Sequence, residues 1–256
     1  MDALAALRLQ LEWGADEALL PAPADRRRRP PADQKPSEAR PQPSAHAAMP
    51  VPAAVAQARA AALQATDTAQ LRAALTALNP GGLATTATSF VDQAGSAAGG
   101  LLLLGDVPHE AEDRSGVPFD GEPGQLLDRM LASIGLDRSG VLLATVLPWR
   151  PPGGRTPSEM ELACCQPFLM RRIALAGIGR VLALGAVATR AMLGPQASLT
   201  RLRGHWAMIA QDDAPPGVQV LPTLHPSTLL ARPAMKAQAW SDLRLLRRSI
   251  GEITHS

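Results

Sequence analysis

Leu101-Leu102-Leu103-Leu104-Gly105-Asp106-Val107-Pro108 is the stretch whose reading decides the fold. Four successive leucines have no polar face, so they predict a strand covered on both sides, the kind found in parallel sheets. The Gly-acid-x-Pro turn that follows ends the strand and leaves a carboxylate at its carboxyl edge, where open α/β sheets bind their ligands. Outward from this point the pattern strand, turn, helix repeats. Strands are expected at 141–146, 180–184, 206–210 and 218–221. Helices are expected at 125–134, stopped by Gly135, and from the cap Ser158 through 174, with Glu159 and Glu161 in the first turn, where the helix dipole favours acids. A helix at 186–193 ends at Gly194, and an amphipathic helix at 235–250 closes the chain. Upstream, 53–64 is helix-forming and Thr66-Asp67 caps a second helix to about residue 78. Apolar strands alternating with helices define an α/β fold, three layers (α/β/α) around a central, mostly parallel sheet.

Composition narrows the rest. The chain has 256 residues, no Tyr and only three Phe, so its core is aliphatic. A formal charge of +2 and a pI near 8.9 permit nucleic-acid contact without demanding it. The two cysteines are neighbours, Cys164 and Cys165, and cannot build a disulfide framework. No secretory pattern opens the sequence, and no apolar run approaches the ~20 residues of a spanning helix. A cytoplasmic protein without membrane contact is expected. Four segments follow: 1–20, holding a short amphipathic helix over 2–13; 21–52, a Pro-rich disordered linker with Arg26-Arg27-Arg28-Arg29; a domain at 53–250; and a tail at 251–256.

Three segments carry candidate chemistry. Asp106 is placed to orient or deprotonate a water, unless it only caps the turn or the next helix. Glu110, Glu112 and Asp113 make the following stretch an acidic loop, which works on a substrate or pairs with Arg114. Phe119, between Pro118 and Gly121, offers a ring for stacking; the alternative is a lid residue folded onto the core. His225 follows the last strand and precedes Pro226-Ser227, a helix start where Ser227 and nearby N–H groups suit a phosphate. A histidine there donates to an oxygen that gains negative charge. Leu229 and Leu230 read as an apolar wedge for a DNA gap or as plain core packing. Two basic loops, Arg150-Pro151-Pro152-Gly153-Gly154-Arg155 and the one holding Arg201 and Arg203, suit DNA phosphates, the alternative for either being a plain soluble loop.

Together these segments resemble the uracil-DNA glycosylase superfamily, specifically the bacterial iron–sulfur type called family four, over roughly residues 83–246. The family's Gly-Glu-Ala-Pro-Gly reads here as Gly105-Asp106-Val107-Pro108-His109, and Glu112-Asp113-Arg114-Ser115-Gly116-Val117-Pro118-Phe119 matches its next motif. Arg150-Pro151-Pro152, Leu184-Gly185, Arg203-Gly204 and His225-Pro226-Ser227 match as well. The resemblance implies a base-excision DNA-repair enzyme that hydrolyses the N-glycosidic bond of flipped uracil or another deaminated base, acting on damaged DNA as a monomer in the bacterial cytosol and nucleoid. Asp106 and His225 would be catalytic. Val107, Pro108, His109, Glu112, Phe119 and Thr145 would bind the base, with Thr145 standing where the family has a base-reading Asn. Arg150, Gly154, Arg155, Arg201, Arg203, Ser227 and Leu229 would meet DNA; at Gly154 a second family Asn is replaced. Of the family's four cluster cysteines only Cys165 is retained, Gly82 and Trp149 occupying expected positions, so no four-iron four-sulfur cluster and no other cofactor is expected. The departures at His109, Thr145 and Gly154 leave a second reading open, a damaged-DNA-binding relative with the same fold and little or no cleavage.

Overall fold

The computed structural model describes residues 51–209 and 213–251. The helix expected at 2–13, the linker up to residue 50 and the tail from residue 252 lie outside the described residues. Helices α1 (Val51–Gln64) and α2 (Thr68–Leu78) come first, and Asp67 caps α2 by accepting from the Gln70 N–H at 2.8 Å. A short α3 (Leu83–Thr86) leads to a two-residue strand β1 (Ala94–Gly95) and then to β2 (Leu101–Gly105). Next come α4 (Glu110–Ser115), α5 (Glu122–Ala132), β3 (Leu142–Thr145) and α6 (Glu159–Leu175). The chain continues through β4 (Arg180–Leu184), α7 (Ala186–Leu193), α8 (Leu199–Leu202), β5 (Ala207–Met208), β6 (Gln219–Thr223), α9 (Pro226–Ala231) and α10 (Lys236–Gly251).

The six strands form one sheet in the order β1-β3-β2-β4-β6-β5. The inner four are parallel, and the short edge strands β1 and β5 run antiparallel to them. The four leucines of β2 are all essentially buried, as the unbroken apolar run requires. They alternate between faces: Leu102 and Leu104 join the core beneath α1, α2 and α6, while Leu101 and Leu103 join the core beneath α5, α9 and α10. Helices on both faces are what force a strand to be apolar throughout.

Register positions the site. Gly105 lies opposite Thr145 on one side and Leu184 on the other, and Leu184 lies opposite Thr223. The inner strands therefore end level, and the residues just beyond them converge on one edge. Four elements escaped the sequence reading, the short helices α3 and α8 among them. The strand β1 has no apolar run, being held by its pairing with Leu142 and Leu143. The stretch expected as an acidic loop is α4, whose Glu110, Glu112 and Asp113 lie in the first turn, where they meet the positive end of the helix dipole.

Candidate active site

Asp106 is the first residue past β2, and its side chain crosses to α7. Its Oδ1 accepts from the Ala188 N–H at 2.7 Å, and the Val187 N–H adds a second bond. Gly185, the residue before α7, makes room for it. A Cβ at Gly185 would lie 2.2 Å from Asp106 Oδ2. Burial outweighs those hydrogen bonds and pushes the carboxyl up to about 6, with His109 and Arg190 pulling the other way. Asp106 caps not the next helix, α4, but the distant α7, and burial brings its carboxyl close to working pH.

His225 stands two residues beyond β6 and caps α9. Its Nδ1 accepts from the Ser227 N–H and lies 2.7 Å from Ser227 Oγ. Burial, with His109 nearby, depresses the ring to about 4, so it is neutral and carries its proton on Nε2. The ring stacks on two others, on His109 at 5.4 Å between centroids and on Phe119 at 5.9 Å, with interplanar angles of 24° and 23°.

One buried carboxylate arranges the outer rings. Glu112 Oε2 accepts from the His109 backbone N–H at 2.7 Å and lies 3.2 Å from His109 Nδ1, while Oε1 accepts from the Phe119 N–H at 2.6 Å. The hydrogen bond to Glu112 raises the His109 pKa above the ordinary histidine value, with Glu112 and Asp106 charges adding to it. The Arg138 guanidinium holds the Phe119 carbonyl, and Phe119 takes a left-handed backbone at φ 56°.

Several expectations need correcting. The ring of Phe119 is 2 % exposed, wedged against Gly105 with His225 over its face, so it is no bare stacking platform. The folded-back alternative holds. Leu229 is 1 % exposed and packs in the core beneath α10, because α9 turns that face inward; Leu230 is the partly exposed member of the pair. Two of the expected phosphate contacts are already engaged: Arg155 pairs bidentately with Glu161, and Arg203 binds Asp242 and the Gln238 carbonyl. Asp242, 1 % exposed, also accepts from Thr223 Oγ1.

Arg150 sits close enough for its charge to act on His109, beside Gly154, where a Cβ would lie 3.5 Å from Arg150 Nη2. Val107 and Pro108 join Asp106 to His109. Thr145 ends β3 opposite Gly105 and donates its hydroxyl proton to the Leu147 carbonyl, so it offers only acceptor lone pairs. Arg201 lies exposed on α8. The site residue that sequence reasoning missed is Gly185; its signal was a glycine directly after a strand that ends level with Gly105.

An acid on a helix start, a neutral histidine and stacked rings thus meet at the carboxyl edge of a parallel sheet. The chain belongs to the uracil-DNA glycosylase superfamily, whose model matches residues 93–244. Its relatives include the type-4 uracil-DNA glycosylase of Thermotoga maritima, 37 % identical over 131 residues, covering 51 % of this chain and 66 % of the relative. The enzyme of the same name from Pyrobaculum aerophilum is 32 % identical over 148 residues (57 % and 76 %), and that from Archaeoglobus fulgidus 30 % over 172 residues (66 % and 83 %).

The side chains do not fit the iron–sulfur cluster that the resemblance to family four implies. Such a cluster takes four Cys ligands, and this chain has two cysteines, adjacent on α6. Trp149 is buried and meets Phe90 edge-on at 5.2 Å, with the Arg72 guanidinium over the Phe90 ring. At Gly82 itself a Cβ would meet nothing within 4 Å, whereas one at the neighbouring Gly81 would lie 2.7 Å from Glu161 Oε1. That Glu161 is 2 % exposed, accepts from Ser158 in a capping box and holds Arg155. Among the described residues no group of three or more His, Cys, Asp or Glu is placed to hold a metal ion. Glu161→Ala is expected to lower stability by about 2 kcal/mol, since charged hydrogen bonds and a cap go together. Arg155 holds the Glu161 carboxyl below its usual range, so its contribution is present above the unfolded pKa and fades as pH falls. Urea midpoints at neutral and acid pH check both, and unchanged midpoints would remove the ion pair from any structural role.

Proposed function

We propose that the protein is a DNA-repair enzyme of the uracil-DNA glycosylase kind, which hydrolyses the N-glycosidic bond of uracil or another deaminated base flipped out of DNA, and that it works without an iron–sulfur cluster. The observation that carries this is the carboxyl of Asp106, buried and raised to about 6, at the same sheet edge as the neutral His225. Flipping costs a few kcal/mol and exposes the base to a pocket built for it. Asp106 takes a proton from water as it approaches an oxocarbenium-like sugar. The Nε2–H of His225 donates to the base carbonyl oxygen as charge gathers there. Thr145 accepts from the base edge, and Arg150, Arg201 and Ser227 meet the DNA backbone. The protein acts as a monomer in the cytosol and nucleoid; among the described residues no helix is long and apolar enough to cross a membrane.

The test is excision from oligonucleotides carrying uracil, hypoxanthine, xanthine or a thymine mismatch, read by alkaline cleavage of the abasic product. His225→Ala is expected to slow the reaction on the best of them by about 10²–10³-fold, the usual loss for one oxyanion donor. Activity equal to that of the parent would remove His225 from the chemistry. A second reading, a damage-binding relative that cleaves little, draws on the ring stack itself, in which Phe119 is buried and stacked with His225 at 5.9 Å between centroids. Tight retention of uracil-containing or abasic DNA with no alkali-labile product would mark that case. An iron assay on colourless protein tests the missing cluster.

A further inference from the structure

The position after the turn's proline, glycine in the family pattern, carries a half-exposed histidine here. We propose that His109 is a catalytic residue, the acid that hands a proton to the base as it leaves. This rests on the glycosylase reading and adds to it a division of labour between two stacked histidines.

The geometry separates their duties. His225 is buried, with Nδ1 turned to Ser227, and as a neutral ring it polarises an oxygen but holds no surplus proton. His109 lies on the solvent side of the stack, its side chain 48 % exposed, 5.4 Å from the His225 ring. Its Nδ1 is spoken for by Glu112 Oε2 at 3.2 Å, which makes Nδ1–H a donor and leaves Nε2 on the far side of the ring. That Glu112 is itself nearly buried and also accepts from the Phe119 N–H, so one carboxylate holds both residues whose rings stack on His225. The charged groups facing His109 come from four elements: Glu112 on its own helix α4, Asp106 after β2, Arg150 after β3 and His225 at α9. Glu112 and Asp106 favour the imidazolium, and Arg150 opposes it.

The step then balances. The bond between the sugar C1′ and base N1 breaks, and its electron pair leaves with the base. The oxygen of water bonds to C1′, and its released proton goes to Asp106. The Nε2 proton of His109 goes to the base, which departs as neutral uracil. Exchange with solvent afterwards returns the proton from Asp106 to His109.

Single-turnover excision of uracil across pH, run with the parent, His109→Gln and Glu112→Gln, tests this. The parent rate is expected to rise as Asp106 ionises and to fall again on the basic side as His109 loses its proton. His109→Gln is expected to lose about a hundredfold and the basic limb with it, and to lose less on 5-fluorouracil, a better leaving group. Glu112→Gln is expected to move the basic limb to lower pH, and the His109 ring titration seen by NMR without DNA to move the same way. A basic limb and rate that survive in His109→Gln, in a parent that excises uracil, would overturn the assignment alone. A parent that excises no base at all would overturn the glycosylase reading and this assignment together.

Discussion

Asp106→Asn is expected to excise at no more than about 1 % of the parent rate, in line with the loss of a positioned base, and yet to unfold at a higher urea concentration. The two effects have one origin. The carboxyl is raised from 3.8 to about 6 because burial disfavours its charge more than the α7 N–H groups favour it. In the unfolded chain it ionises at its ordinary value. A group whose folded pKa is raised contributes stability while protonated in both states, below about pH 4, and that contribution is lost as pH climbs through 6. At neutral pH the ionised Asp106 therefore weakens the fold by on the order of 2–3 kcal/mol, at 1.36 kcal/mol per pKa unit. Asparagine keeps an acceptor for Ala188 and sheds the charge. The stability gain over the parent is expected to be small near pH 4 and to widen up to about pH 7. Paired urea titrations at the two pH values measure it, and a variant that is inactive but no more stable at neutral pH would refute the burial argument. An acid kept at a cost to stability is the usual mark of a functional group.

Gly185→Ala is the second large effect, and it reaches the same chemistry from a residue with no polar side chain. Gly185 holds φ 111° and ψ 178°, where side chains are strained by about 1–3 kcal/mol, and its added Cβ would fall 2.2 Å from Asp106 Oδ2. The carboxylate must swing away from Val187 and Ala188. Activity is expected to drop nearly as far as in Asp106→Asn, now with a loss of stability. Gly135→Ala supplies the comparison, since Gly135 also has positive φ (74°) but open space around a Cβ. It is expected to weaken the fold and leave excision intact. Equal activity in Gly185→Ala and the parent would show that the Asp106 position does not matter.

The parts of this molecule that follow a local rule were legible in its sequence. The leucines of β2 announce a doubly covered strand, Ser158 and Glu161 a helix start, and Ala186–Leu193 a helix between two glycines. Asp106 and His225 were legible as candidates because a turn after an apolar strand places them at an edge. What was not legible depends on partners distant along the chain. Whether Phe119 and Leu229 face solvent is decided by Gly105, His225 and α10, not by their neighbours. Arg203 read as a free cation because Asp242, which binds it, is 39 residues away. Even the local contact of His109 with Glu112 was hidden, since the segment carrying both was expected to be a loop.

The Asp242 junction ties together three pieces of backbone, two of which are also joined by the Gly204 N–H donating to the Pro222 carbonyl at 3.2 Å. Its carboxylate grips Thr223 at the end of β6, Arg203 after α8 and, through Arg203, the first turns of α10. His225 starts two residues beyond Thr223. The imidazole of His225 thus hangs from a braced corner of the sheet edge, its footing secured by bonds that reach from the end of α8 to α10.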